Sequence, residues 1–90
     1  MPKSTYQIKL TADARADFKR LDNTVAERIW KKLDALVLNI ETFQHTALKG
    51  QWSTSYKLRV GDYRVIYKLD HANAWLIVIS VGHRSSVYHD

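Results

Sequence analysis

Ninety residues with no cysteine, and 14 Lys and Arg against 9 Asp and Glu for a formal charge of +5, leave room for one domain spanning residues 1–90. This composition excludes a disulfide framework and a thiolate metal site, and the positive balance favours an anionic partner. The longest apolar run, Ala74 to Ile79, is too short to span a bilayer and Met1 to Leu10 holds no apolar signal core, so a cytoplasmic protein with no membrane partner is expected.

Tyr6, Ile8 and Leu10 alternate with Gln7 and Lys9, the period of a half-buried strand, which predicts a first strand over Thr5 to Leu10. Thr11 then caps a helix in which Ala14, Phe18 and Leu21 recur at helical spacing, while Asp13, Arg15, Asp17, Lys19 and Arg20 take the wet side. Asp22 and Asn23 end it. Thr24-Val-Ala-Glu27 has the form of a capping box and opens a second helix to about Leu38, with Val25, Ile29, Leu33, Leu36 and Val37 as its buried stripe. Trp30 falls within this apolar pattern and is assigned to packing rather than to stacking on a ligand.

Asn39 to Gly50 reads as a connection, after which the period changes to two. Ser53 to Val60, Tyr63 to Leu69 and Ala74 to Val81 are strands, separated by turn chemistry at Gly61-Asp62 and Asp70 to Asn73. The fold class is therefore α+β: a strand, a helical hairpin, then a three-stranded antiparallel meander. The helices pack on one sheet face and leave the other free.

With Gly61-Asp62 at the tip of a hairpin, Val60 pairs with Tyr63, Arg59 with Arg64, Leu58 with Val65 and Lys57 with Ile66. Tyr56, Leu58, Val60, Tyr63, Val65, Tyr67 and Leu69 then share the core face. Lys57, Arg59, Arg64 and Lys68 gather on the other, with Ile66 as the one apolar residue among them. Two arginines directly opposite repel each other unless an anion lies between them, so this face is either a solvated surface or a phosphate site. The polar and aromatic tail from His83 to Tyr88 follows an apolar strand, and its Arg84 and Tyr88 suit a grip on phosphate and base. Of the four histidines, His45 and His71 fall in predicted loops at the surface. His83 and His89 stand beside Arg84 and Tyr88, and His83 is a candidate proton donor that would touch substrate there. Three of the four histidines have no metal-ligand spacing with a carboxylate, and neither metal nor other cofactor is expected.

Three stretches, Leu48-Lys-Gly50, Tyr56-Lys-Leu-Arg-Val-Gly-Asp-Tyr-Arg-Val-Ile-Tyr67 and Val81-Gly-His-Arg84 with Val87-Tyr88, resemble the RelE toxins of the RelE/ParE superfamily, and the similarity runs in order along the chain. The resemblance implies the toxin of a type II toxin-antitoxin system, a metal-independent endoribonuclease. Such a toxin inhibits translation by cleaving messenger RNA in the ribosomal A site through attack of a ribose 2′-hydroxyl on the adjacent phosphate. It further implies catalytic positions at Lys57, Arg59, Arg64, Arg84 and Tyr88; Lys68, on the same sheet face, and His83, beside Arg84, are the further candidates for binding substrate. The implied partners are the ribosome with its message and an antitoxin protein held in a hetero-oligomer. Arg59 stands where some members have lysine, and arginine is a poor proton acceptor. Two other readings remain open: a ParE-like inhibitor of DNA gyrase, which acts by binding protein, and a non-catalytic RNA-binding module.

Overall fold

The computed structural model of the protein describes residues 6–47 and 55–83. The chain runs β1 (Gln7–Leu10), α1 (Ala12–Lys19), α2 (Asn23–Leu38), β2 (Thr46–Ala47), β3 (Tyr56–Val60), β4 (Tyr63–Asp70) and β5 (Trp75–His83). The strands form one sheet in the order β1-β5-β4-β3-β2. Every adjacent pair is antiparallel except β1 with β5, which is parallel.

The predicted meander is present as β3, β4 and β5, and the hairpin register is as the Gly61-Asp62 tip requires, with Arg59 opposite Arg64 and Lys57 opposite Ile66. Gly61 supplies the turn with a φ of 61°, a left-handed conformation that a Cβ would strain. Two features differ from the sequence reading. The segment read as a connection carries the short edge strand β2, in which Thr46 pairs with Lys57 and Ala47 with Tyr56. Strand β5 also runs past Val81 to His83, and its pairing with β4 slips by one residue: Ile66 faces Ser80 but Tyr67 faces Val78, so Ile79 has no opposite partner. This is a bulge, and it reverses which residues face which side beyond it.

The bulge is tied to the first turn of the chain. Thr11 caps α1 as expected, its Oγ1 accepting from the Ala14 N–H at 3.1 Å, and the same hydroxyl donates to the Ile79 carbonyl at 2.9 Å. Asp17, expected on the wet side, instead turns to the sheet, where its Oδ2 accepts the Val81 N–H at 2.9 Å. Its other oxygen pairs with Arg20 at 2.5 Å. The capping box does not form. Helix α2 begins two residues earlier than Thr24 would place it, with the Asp22 carbonyl accepting from the Ala26 N–H, and Thr24 lies inside the helix.

One apolar layer joins the helices to the sheet. From α2 come Ile29, Leu33, Leu36 and Val37, the predicted stripe, and from the sheet Leu58, Val65, Tyr67, Leu76, Val78 and Val81. Each fully buried aliphatic side chain contributes roughly 1.5 to 3 kcal/mol. Trp30 stacks on Phe18 with ring centroids 5.2 Å apart and fastens α2 to α1, the packing role read from its spacing.

Beneath the β2 edge lies an aromatic cluster of Phe43, His45, Tyr56 and Tyr67. His45 is half-buried rather than a surface residue. Its Nε2–H donates to the Ile40 carbonyl at 3.0 Å, which leaves Nδ1 to accept the Tyr67 hydroxyl at 2.6 Å. Burial, and secondarily the neighbouring Tyr56, hold the Tyr67 phenol well above the ordinary tyrosine range, so it stays a donor. His71 is exposed, as expected, and accepts from or donates to the Tyr6 hydroxyl at 2.5 Å.

Candidate nucleic-acid interface

Strand alternation sends one set of side chains away from the helices, and the register shows which. On β3 these are Lys57 and Arg59, and on β4 Arg64, Ile66, Lys68 and Asp70. Sequence reasoning brought Lys57, Arg59, Arg64 and Lys68 to one face, and the structure puts them there together. Arg59 and Lys68 are exposed, Lys57 is half-buried, and Arg64 is 9% exposed. Arg64 lies between Arg59 on β3 and Gly82 on β5, the latter contributing no side chain beside it.

Ile66, the apolar exception on this face, is only 3% exposed although it stands outside the helix-side core. The centre of the basic face is therefore a partly desolvated floor, where a guanidinium attracts an anion more strongly than it would in open water. A guanidinium held at such a place presents a planar fork of donors suited to phosphate oxygens.

The parallel β1–β5 pair adds a residue that sequence reasoning did not place in the site. Lys9 sits across from Ile77, itself opposite Lys68, and its Nζ lies 5.1 Å from the centre of the Trp75 ring. That is cation–π distance, so Lys9 extends the cationic surface onto β1 beside an aromatic ring. The only local signal was its position on the polar side of strand one. The partner strand was not legible.

His83 lies across the sheet from the four cations of β3 and β4. Because of the bulge it shares a face with Val81 and Tyr63, on the helix side, and its ring meets Tyr63 edge-on with centroids 5.5 Å apart. It lines a cleft of about 440 Å³ with Asp17, Arg20, Leu21 and Tyr63, on the side of the sheet away from Lys57, Arg59, Arg64 and Lys68. Arg84 and Tyr88, together with His89, lie outside the described residues. Among the described residues no group of three His, Cys, Asp or Glu is placed to hold a metal ion, and no helix is long and apolar enough to cross a membrane.

An α1–α2 hairpin on one face of a five-stranded sheet, with β1 returning parallel to β5, has counterparts in known proteins. Residues 8–88 match the family model described as the ParE toxin of type II toxin-antitoxin system, parDE. The chain belongs to this toxin family. The toxin is 28% identical over 83 residues to Toxin RelE of Mycobacterium tuberculosis, with 92% of this chain and 86% of the relative covered. It superposes on the isolated E. coli RelE toxin with a TM-score of 0.74 at 27% identity, covering 88% of this chain and 84% of that one. A chain of the intact E. coli RelBE toxin-antitoxin complex gives a TM-score of 0.63 at 25% identity, covering 88% and 96%. The toxin thus stands in the RelE/ParE superfamily, and its two helices on a five-stranded mixed sheet are the α+β fold of its RelE neighbours.

Proposed function

We propose that this toxin is an endoribonuclease that cuts messenger RNA in the ribosomal A site, by attack of a ribose 2′-hydroxyl on the adjacent phosphate. The carrying observation is the Arg59–Arg64 pair, directly opposite across β3 and β4 with Lys57 one pair away on the same face. Like charges so placed cost a few tenths to about 1 kcal/mol, and a phosphate bridging them removes that cost. In this reading Lys57, helped by Arg59, activates the 2′-hydroxyl, and Arg64 takes the charge of the phosphorane. Arg84 assists the leaving 5′-oxygen and Tyr88 stacks on a nucleotide. Lys68 holds the strand by its phosphates. The products are a 2′,3′-cyclic phosphate and a 5′-hydroxyl.

Lysine and arginine keep their protons near neutral pH, so these residues act mainly through charge and are weak as an acid and base pair. Free RNA is therefore a poor substrate. The ribosome supplies the in-line geometry, a positioning effect worth several kcal/mol. The similarity to two proteins named as RelE toxins supports this reading. The E. coli neighbour solved as a RelBE complex supports an antitoxin partner, whose acidic groups would cover the basic face in a hetero-oligomer.

The test is to incubate the toxin with programmed ribosomes and with the same naked message, and to map fragment ends. Cuts confined to the A site, lost in Arg64→Ala and Arg84→Ala but kept in His83→Gln, are expected. Equal cutting of naked RNA refutes the ribosomal part. A second reading is favoured by the family model, which is that of a ParE toxin: inhibition of DNA gyrase through protein binding. Intact message in every reaction, together with loss of gyrase supercoiling, would establish it instead.

A further inference from the structure

A second cluster of cations lies on the other side of the hairpin tip, outside the set that the cleavage reading uses. Arg28, Lys31 and Lys32 fall at helical positions i, i+3 and i+4 of α2, on one exposed side of the helix. With Val60 and Gly61 they line a shallow cleft of about 300 Å³. Arg28 reaches over the turn: its Nη2 would lie 3.3 Å from a Cβ built on Gly61, so a side chain there would push the guanidinium back by a few tenths of an ångström. On its far side Arg28 borders a smaller cleft of about 200 Å³ with Val25, Asp62 and Tyr63.

Three features give this cluster a direction. Among the described residues Arg28, Lys31 and Lys32 stand in no ion pair. Glu27 and Asp34 of the same helix do not line either cleft, which leaves Asp62 as the one carboxylate at the rim among the described residues. The cluster also continues a charged path: Val60 and Gly61 belong to its lining, and Arg59 precedes them on the open face. Cations thus flank the hairpin tip on both sides of the sheet.

We propose that Arg28, Lys31 and Lys32, gathered around the Gly61 turn, bind the phosphodiester backbone of a nucleic acid strand outside the cutting site. The contact is made to phosphates, because among the described residues the lining of the cleft beside Lys31 and Lys32 offers charge and a bare backbone and no aromatic ring on which a base could stack. This goes beyond the cleavage reading, for it requires no chemistry and stands if the toxin cuts nothing.

The probe is a short labelled 2′-O-methyl RNA, which lacks the nucleophile, beside a single-stranded DNA of the same sequence. Binding is measured by anisotropy from about 50 to 200 mM salt. The test variant carries Arg28→Gln, Lys31→Gln and Lys32→Gln. The control removes the same charge from α1 through Arg15→Gln, Lys19→Gln and Arg20→Gln. Thermal midpoints confirm that both are folded. Each phosphate contact to a single strand adds about 0.7 to the slope of log K against log salt, so the test variant should lose about 2 in slope. The control should lose less than half of that, and Asp62→Asn should bind more tightly than the parent. Equal losses in the two triple variants, or none in the test variant, would overturn the proposal. RNA and DNA weakened alike identify the backbone as the ligand, while loss with RNA alone would show that the sugar is read. Binding of a cognate antitoxin lost in the test variant with RNA binding intact would overturn the proposal in favour of an acidic protein. A toxin inert on programmed ribosomes that still shows the slope change refutes the nuclease reading and leaves this one standing.

Discussion

Replacing Tyr67 by Phe isolates one hydrogen bond at the edge of the site. The ring, which is fully buried, keeps its packing, and only the hydroxyl that donates to His45 Nδ1 at 2.6 Å is lost. A neutral hydrogen bond of this kind contributes a net ~0.5 to 1.5 kcal/mol, and leaving the half-buried Nδ1 without a donor brings the total to about 1 to 2 kcal/mol. For a domain of this size that is a fall of roughly 5 to 15 °C in Tm. The pH dependence carries a second signature. The folded phenol is held above its unfolded value near 10, so the stability it contributes is full below about pH 10 and fades as pH rises beyond it. Urea denaturation at neutral and alkaline pH should show Tyr67→Phe less stable at pH 7, with a flatter alkaline limb. A double-mutant cycle with His45→Leu should return a coupling of at least about 0.5 kcal/mol. A variant within ~0.5 kcal/mol of the parent, with no coupling and an unchanged alkaline limb, would refute the assignment of Tyr67 as donor and His45 as clasp.

Arg59→Gln should raise stability at low salt by a few tenths to about 1 kcal/mol, the cost of like charges directly opposite on a sheet. The gain should vanish near 1 M salt, where the screening length is about 3 Å, while cleavage is lost; a variant no more stable at low salt would show that the Arg59–Arg64 pair carries no repulsion. Ala74 adopts a φ of 57°, a conformation that costs an L-residue roughly 1 kcal/mol, so Ala74→Gly should raise Tm by several degrees. The Asp70 carboxylate accepts from the Asn73 side chain at 2.9 Å and from its backbone N–H at 3.1 Å, which holds its pKa below the ordinary value. Its contribution is therefore present above about pH 4 and disappears as pH falls through the lower folded value, so Asp70→Ser should show a shallower acid limb in an unfolding titration.

Local pattern carried much of this structure. The α2 stripe from Ile29 to Val37 and the Arg59–Arg64 register follow from period and turn chemistry within a few residues, and both stand in the structure. What escaped was non-local. Thr46 and Ala47 make too short a strand to show alternation, and they pair only because β3 offers an edge. Lys9 joins the basic face through a partner strand nearly the whole chain away. Asp17 looks like any wet helical carboxylate until β5 presents the Val81 N–H to it. The side of the sheet that His83 takes was not legible either: one extra residue at Ile79 exchanges the two faces beyond it, and nothing in the run Trp75 to Val81 announces the insertion.

The parallel pairing of β1 with β5 also has a bearing on synthesis. Gln7 finds its partner only at Trp75, and Thr11 closes its bond to Ile79 across 68 positions of chain. A ribosome must therefore make nearly all of the described sequence before the first strand has anything to pair with. The nascent chain can form its helical hairpin early, but the sheet cannot close around it, and such long-range pairing is intrinsically slow. The sheet that carries the cations is thus unfinished until β5 emerges. That delay is an interval in which an antitoxin could meet the chain before the basic face is complete.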